Sequence, residues 1–164
     1  MATRRAILAA GASLAASAAP TTRDQFLGVW KLISYQRKSK DGQLAHPFTE
    51  KPVGRMTYDK AGRMSGQLMR PGRKSTMQSG ISFVNGAAPD AEIREAANGF
   101  IAYFGTFDID EANSTVIHHV EACLVPSWVG QDLKRKYRFE QSRLLLSAET
   151  AGMIVNLVWQ RLPD

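Results

Sequence analysis

Two adjacent histidines and a nearby glutamate are the residues of this chain best suited to chemistry. They are His118, His119 and Glu121, within the stretch STVIHHVEACLVPSWVG. A histidine can act as a general acid or base near neutral pH, and a carboxylate can assist it or bind a metal ion. These three residues are therefore the candidate catalytic group, and the element that carries them decides whether they can act together.

That element is predicted to be a β-strand. The segment TVIHHVEACLV follows the strand-like YFGTFDID after a turn at residues 111–114. Successive side chains of a strand point to opposite faces, so His118 and His119 cannot bind one metal ion unless a bulge intervenes. Pairing through the four-residue turn places Phe107 opposite His118 and Thr106 opposite His119.

The two faces of this hairpin differ in polarity, and the more apolar face is predicted to line the interior. His118 is its polar member, either hydrogen-bonded to Tyr103 or in contact with a ligand. His119 and Glu121 are predicted to form a hydrogen-bonded pair on the other face rather than a metal site. A register slip of one residue exchanges the faces, and the site then becomes His119, Glu121, Thr106 and Phe104.

Hairpins in series determine the predicted fold. About eight strand-like segments follow one another through short turns, with one helix inserted at about 90–102. Pro89 and Asp90 mark the start of that helix, and apolar residues recur within it at three- and four-residue spacing. This order predicts a mainly β protein, an antiparallel up-and-down β-barrel that forms a single domain over 25–164.

The sequence lacks the motifs of several functional classes. It contains no nucleotide-binding loop, nucleophile elbow, zinc motif or cysteine pair, so no cofactor and no metal site are predicted. The net charge is +6, but the basic residues are scattered, which argues against a nucleic-acid partner. After the N-terminal region, no run approaches the roughly 18 apolar residues of a membrane span. The oligomeric state is not indicated.

The N-terminal region has the organisation of an export signal. Residues 1–18 contain Arg4 and Arg5, then an apolar run, then the small-residue site Ala16-Ser17-Ala18. This order predicts a secretory signal peptide of the twin-arginine type, followed by a linker at 19–24 and a periplasmic or secreted location. The alternative is an alanine-rich amphipathic first helix.

Several motifs of the chain resemble those of the bacterial and fungal lipocalin-like domain family. They are FLGVWKLISY, PVGRMTYDKAGRMSGQLMRPGR, GFIAYFGTFDIDEANSTVIHHVEACLVPSWVG and the closing LVWQR, which together cover roughly residues 25–161. The resemblance implies a calycin-type β-barrel with an internal cavity and Arg161 stacked over Trp30. It does not imply one activity, because related barrels bind hydrophobic molecules, carry haem, or catalyse cyclisation and isomerisation.

The leading hypothesis is therefore an exported protein that binds a small, largely apolar molecule in the barrel cavity. The expected ligand contacts are His118, Tyr103, Phe107, Gln67 and Trp128, the last as a lid over the barrel mouth or as a cap on the core. The alternative is an enzyme that uses the cavity as a dehydratase, cyclase or isomerase, with a histidine as general acid or base. A cell-envelope interaction protein is a third possibility.

Overall fold

The computed structural model describes residues 19–76 and 85–163. The predicted signal peptide at 1–18 lies outside the described residues. The helices and strands of the described part are α1 (Thr22–Phe26), β1 (Gly28–Lys38), β2 (Leu44–Ala45), β3 (Val53–Tyr58), β4 (Arg63–Met69), α2 (Asp90–Asn98), β5 (Phe100–Asp110), β6 (Thr115–Cys123), the 3-10 helix η1 (Pro126–Trp128), β7 (Asp132–Glu140), β8 (Arg143–Thr150) and β9 (Met153–Arg161).

The strands form a closed, eight-stranded antiparallel barrel. From β3 to β9 each strand pairs with the next along the chain; β1 pairs with β3 and also with β9, which closes the barrel. The short β2 is an extra strand that pairs with the end of β1 beside Arg37. Closure leaves the eight barrel strands without a free edge between first and last. The predicted lipocalin-like barrel is confirmed.

Strand β7 shows how the sequence encodes the wall. Its residues alternate strictly between half-buried and exposed from one end to the other. Leu133, Arg135, Tyr137 and Phe139 form the half-buried set, and the exposed set is lysine, arginine and acidic residues. An alternation of period two is the pattern of a strand with one face toward the interior and one toward water.

The β5–β6 hairpin has the register expected from its turn. Phe107 pairs with His118 and Thr106 with His119. The register then shifts between Phe104 and Gly105, which leaves Glu121 as the extra residue of a β-bulge. A Cβ atom at Gly105 would lie 1.9 Å from the carbonyl oxygen of His119. Only glycine therefore fits where the two strands approach at the bulge.

Two predicted boundaries require correction. Helix α2 ends at Asn98 rather than near Ala102, because Gly99 caps it and donates its backbone N–H to the carbonyl of Glu95. Phe100 and Ile101, which fit the helical spacing, instead begin β5 and pair with β4. At the N-terminus, the segment predicted as a linker already contains the start of α1, which Thr21 caps through reciprocal hydrogen bonds with Asp24.

Helix α1 closes one end of the barrel. Its Phe26 has no exposed surface and makes edge-to-face contacts with Tyr58, Tyr137 and Phe139, at ring-centroid distances of 5.0–5.3 Å. The indole N–H of Trp30 donates to the carbonyl oxygen of Phe26 at 2.8 Å. This aromatic cluster and α1 are called the closed end below.

Arg161 completes the closed end, as the family resemblance implied. Its guanidinium carbon lies 4.2 Å from the ring centroid of Trp30. The same guanidinium donates hydrogen bonds to the backbone carbonyls of Leu27 and Gln25. The last strand, the first strand and the segment before it are thereby joined through one side chain, and the predicted stacking is confirmed.

Candidate functional site

A cavity of about 420 Å³ occupies the other half of the barrel interior and opens to solvent at the end opposite α1. This opposite half is called the open end below. Its walls come from the end of β1, the starts of β5, β7 and β9, the end of β8, and η1. Most of the lining is apolar, and its aromatic and aliphatic members include Phe48, Met56, Leu68, Ile101, Leu157 and Trp159.

Four charged side chains line this cavity: Arg37, Lys134, Arg135 and Glu149. Three cations against one carboxylate give the lining a formal charge of +2. Arg37 donates two hydrogen bonds to the hydroxyl of Tyr35, from Nε at 3.0 Å and Nη2 at 2.7 Å. The open end therefore combines an apolar body with a cationic mouth, which differs from the lumen anchored by a histidine that the sequence predicted.

Arg135 is the charged residue of the cavity that affects both Tyr103 and His118. It belongs to the inward-facing set of β7 and is half-buried. Burial raises the pKa of the Tyr103 hydroxyl, and the positive charge of the nearby Arg135 partly offsets that rise. Arg135 also lowers the pKa of His118, after the larger effect of burial. A guanidinium thus lies next to the polar groups at the base of the cavity.

His118 lies beneath the cavity and does not line it. It has no exposed surface, and both ring nitrogens are hydrogen-bonded: Nε2 to the Tyr58 hydroxyl at 2.8 Å and Nδ1 to the Tyr103 hydroxyl at 3.0 Å. Burial lowers the pKa of His118 well below its usual value of 6.5. The imidazole is therefore neutral at pH 7. Of the two roles left open for it, the structure supports the histidine hydrogen-bonded to Tyr103.

The neutral ring constrains the direction of these hydrogen bonds. A neutral imidazole carries one N–H donor and one acceptor nitrogen. If Nδ1 carries the proton, it donates to Tyr103 and leaves the phenolic proton of Tyr103 free to point elsewhere. If Nε2 carries it, Tyr103 donates to Nδ1 instead. The Tyr58–His118–Tyr103 chain can therefore set which way the Tyr103 hydroxyl donates.

His119 faces away from the cavity on the outer wall. Its Nδ1 lies 2.7 Å from Asp132 and its Nε2 lies 3.2 Å from Asp108. These two carboxylates, rather than the predicted partner Glu121, take both ring nitrogens; Glu121 is exposed in the bulge. The hydrogen bond to Asp132 is the largest of the effects that raise the pKa of His119. His118 and His119 therefore do not converge, as the alternation predicted.

The remaining predicted ligand contacts separate into three locations. Tyr103 and Trp128 both line the cavity, where their rings meet edge to face at 6.3 Å. Phe107 lies instead in the closed end, with its ring 4.8 Å from Tyr58. Gln67 is on the outer face of β4 and lines a shallow external groove. The structure thus brings two of the five proposed contacts into the cavity and places the others elsewhere.

The barrel wall is incomplete beside Arg135. Strands β7 and β8 pair from Glu140 back to Lys136, which is opposite Ser147, and the next pairs in register are not formed. An outer pocket of about 610 Å³ covers this gap. It shares four lining residues with the cavity: Lys134, Arg135, Ala148 and Glu149. Arg135 therefore borders both the interior and the outer surface.

The sequence interpretation missed the two arginines, although a signal for one was present. In LKRKYRFE, the position of Arg135 falls between Leu133 and Tyr137 on the apolar face of the alternating pattern. A cation on that face has to point into the barrel. Arg37 carried no such signal, because β1 shifts register between Leu32 and Ser34 and so changes which residues point inward.

Within 19–76 and 85–163, no group of three histidine, cysteine or acidic side chains is arranged to hold a metal ion. In the same ranges, no helix has the length and apolarity needed to cross a membrane.

A comparison with known protein families agrees with the barrel. A family model described as a lipocalin-like domain matches residues 27–161. A crystal structure of a mutant of the fluorescent protein UnaG matches with a TM-score of 0.39 and 10% sequence identity, covering 86% of this chain and 99% of that one. No curated protein matches the sequence. The family match spans most of the chain, and the protein therefore belongs to the lipocalin-like domain family.

Proposed function

We propose that this protein binds a small, largely apolar molecule in the cavity at the open end. The observation that carries the proposal is the cavity itself, which has a volume of about 420 Å³ and a mostly apolar lining. Pockets of roughly 300–1,000 Å³ with apolar walls and a few polar groups are typical of small-molecule sites. Burial of an apolar ligand there contributes about 25 cal/mol for each Å² removed from water.

The location of His118 argues for binding rather than catalysis. A general acid or base must come within hydrogen-bonding distance of the proton that it transfers. His118 has no exposed surface, and tyrosine hydroxyls occupy both of its ring nitrogens. His119 and Glu121 are on the outer wall, away from the cavity. Among residues 19–76 and 85–163, none of those that line the cavity is a histidine that could perform dehydratase, cyclase or isomerase chemistry.

A neutral fluorescent probe tests the binding proposal. N-phenyl-1-naphthylamine becomes bright in an apolar cavity, and we expect it to bind the wild type at micromolar concentration. Leu68→Trp should weaken the binding at least tenfold, because Leu68 is a buried wall residue and the larger ring fills the space. Ile33→Trp is the matched control, since Ile33 faces out of the same barrel and is 39% exposed. Equal binding by both variants would contradict the proposal.

A second proposal concerns export. The predicted twin-arginine signal at residues 1–18, with Arg4 and Arg5, supports transport to the periplasm or the medium. Changing both arginines to lysine should leave the uncut protein in the cytoplasm, as judged by fractionation and N-terminal sequencing. If a mature form beginning at Ala19 still appears outside the membrane, the signal is not of the twin-arginine type.

A further inference from the structure

The polar groups of the cavity lining that still lack hydrogen-bond partners are mainly N–H donors. Arg37 has five N–H donors, of which Tyr35 accepts two. The indole nitrogen of Trp159, which lines the cavity, is buried and has no acceptor among the described residues. Arg135 approaches the Tyr103 hydroxyl and retains further donors. A ligand that satisfied these groups would have to bring acceptors.

The charge of the cavity leads to the same requirement. The ion pairs of the described residues use Arg23, Arg63, Arg70, Arg138 and His119 as cations, and neither Arg37 nor Arg135 takes part. The one carboxylate in the lining, Glu149, is exposed at the mouth. Charges beside an apolar, partly buried wall interact more strongly than they would in water. An anionic group entering the cavity would therefore meet two guanidinium groups that lack a counter-ion.

The hydroxyl of Tyr103 adds a neutral donor beside Arg135. Arg135 lies close enough to Tyr103 to influence the pKa of its hydroxyl, and both side chains line the cavity. When Nδ1 of His118 donates to the phenolic oxygen, the phenolic proton is free to point into the cavity. Arg135 and Tyr103 then both offer donors to a ligand. A pair of oxygen acceptors matches that arrangement.

We infer that the ligand is an amphipathic acid, whose anionic oxygens bind Arg135, Tyr103 and Arg37 and whose apolar body packs against the aliphatic and aromatic wall of the cavity. This inference rests on the proposed function and specifies the chemical class of the ligand. The guanidinium groups recognise the anionic oxygens, and the aliphatic and aromatic wall recognises the apolar body.

Matched ligands separate this inference from the binding proposal itself. Decanoate and 1-decanol share an apolar chain and differ in charge, and their affinities can be measured by displacement of N-phenyl-1-naphthylamine. We expect decanoate to bind the wild type at least tenfold more tightly than 1-decanol. Decyl phosphate, as a second acid, distinguishes a carboxylate site from a phosphate site, and tighter binding of either acid supports the inference.

Arginine variants test which side chains are responsible. Arg135→Met and Arg37→Met should each weaken decanoate binding about tenfold and change 1-decanol binding less than twofold. The matched control is Arg138→Met on the outer face of β7, where the arginine pairs with Glu140; it should leave both affinities unchanged. Thermal melting of each variant confirms that it is folded, and Arg135→Lys provides a folded alternative that retains the charge.

Three results would overturn the inference, and they differ in meaning. Equal wild-type affinity for decanoate and 1-decanol would show that the ligand need not be acidic. An acid preference that survives in both arginine variants would show that Arg135 and Arg37 do not bind the acid, and either result would leave the binding proposal intact. Displacement of the probe by neither decanoate nor 1-decanol would count against the proposed function as well.

Discussion

The two ends of the barrel use arginine in opposite ways. At the closed end, Arg161 stacks over the Trp30 indole and donates to the carbonyls of Leu27 and Gln25. At the open end, Arg135 borders an apolar cavity, approaches the Tyr103 hydroxyl and has no carboxylate partner within 19–76 and 85–163. At the closed end, the guanidinium of Arg161 has protein partners for its hydrogen bonds. At the open end, Arg135 forms no ion pair with the described residues.

The comparison indicates how structural and functional charges can be told apart in one fold. A half-buried guanidinium loses part of its hydration. This loss costs free energy unless groups of the protein hydrogen-bond to the guanidinium or pair with it. Arg161 has such partners in an aromatic ring and backbone oxygens. Arg135 and Arg37 form no ion pair within 19–76 and 85–163, and the inferred acid would supply their anionic partner. Predictions about the closed end therefore concern stability, and predictions about the open end concern binding.

The largest expected effect on stability is at Phe26, the side chain of α1 that fills the closed end. Phe26→Ala removes a ring with no exposed surface from a cluster of four aromatic neighbours. Substitutions of this kind cost about 3–5 kcal/mol in the free energy of unfolding. Urea denaturation should show that loss, whereas Phe104→Ala, at a residue that is 53% exposed, should cost far less. Similar losses at both positions would mean that α1 does not close the barrel.

The next largest expected effect on stability is at His118, which lies between the two ends of the barrel. His118→Ala leaves a small cavity and two buried tyrosine hydroxyls without their partner, which should cost about 3 kcal/mol. His119→Ala should cost less than about 1 kcal/mol, because that ring is on the outer wall and its ion pairs are exposed. This order agrees with His118 hydrogen-bonded to the tyrosines and differs from the alternative in which His118 contacts the ligand. A smaller loss at His118 than at His119 would restore it.

The two histidines should also impose opposite pH dependence on stability. The folded-state pKa of His118 is depressed by burial below the usual 6.5. The unfolded chain therefore binds a proton that the folded protein does not, and stability falls as pH drops below about 6.5, by at most about 1.4 kcal/mol per pH unit. The raised pKa of His119 has the opposite sign: its contribution is present below pH 6.5 and is lost as pH rises through its folded pKa.

Denaturation between pH 7.5 and pH 5 measures this contrast. The wild type should lose stability toward pH 5, since the His118 effect is fully buried and the His119 effect is screened by solvent. In His118→Gln the slope should largely disappear, because glutamine can hydrogen-bond to the tyrosines without titrating. An unchanged slope in that variant would assign the pH dependence to other groups.

A smaller effect on stability than at Phe26 or His118 is expected at Arg161. A guanidinium over an indole contributes about 0.5–2 kcal/mol, and the two hydrogen bonds to carbonyls add a further contribution. Arg161→Ala should lower the melting temperature by several degrees and leave ligand affinity unchanged. Arg143→Ala, at an exposed position on β8, is the control. A change in affinity at Arg161 would mean that the two ends are not separate in function.

Much of the fold could be predicted because strands and turns leave local signals. The series of strand-like segments joined by short turns predicted the barrel, and the four-residue turn before β6 predicted the register that places Phe107 opposite His118. Periodicity did not locate the end of α2, since Phe100 and Ile101 fit a helical stripe as well as a strand. Pairing with β4 decides between them, and that interaction is not local in sequence.

The candidate site was harder to predict, because depth within a barrel is not encoded by alternation. His118, Phe107 and Tyr103 share the interior face, yet only Tyr103 reaches the cavity. Phe26 from α1 fills the space beside Phe107, so that side chains fill the barrel interior at the closed end. Which interior residues meet a ligand thus depends on packing from a helix that the sequence interpretation treated as part of a linker.

The claim that the open end is the ligand site can be tested directly by NMR. In a titration of ¹⁵N-labelled protein with decanoate, we predict the largest amide shift changes at the open end, at Leu68, Tyr103 and residues 133–135. Phe26 and Phe139 at the closed end should change little. Shift changes centred on the closed end or the outer wall, or no saturable change at all, would contradict the account.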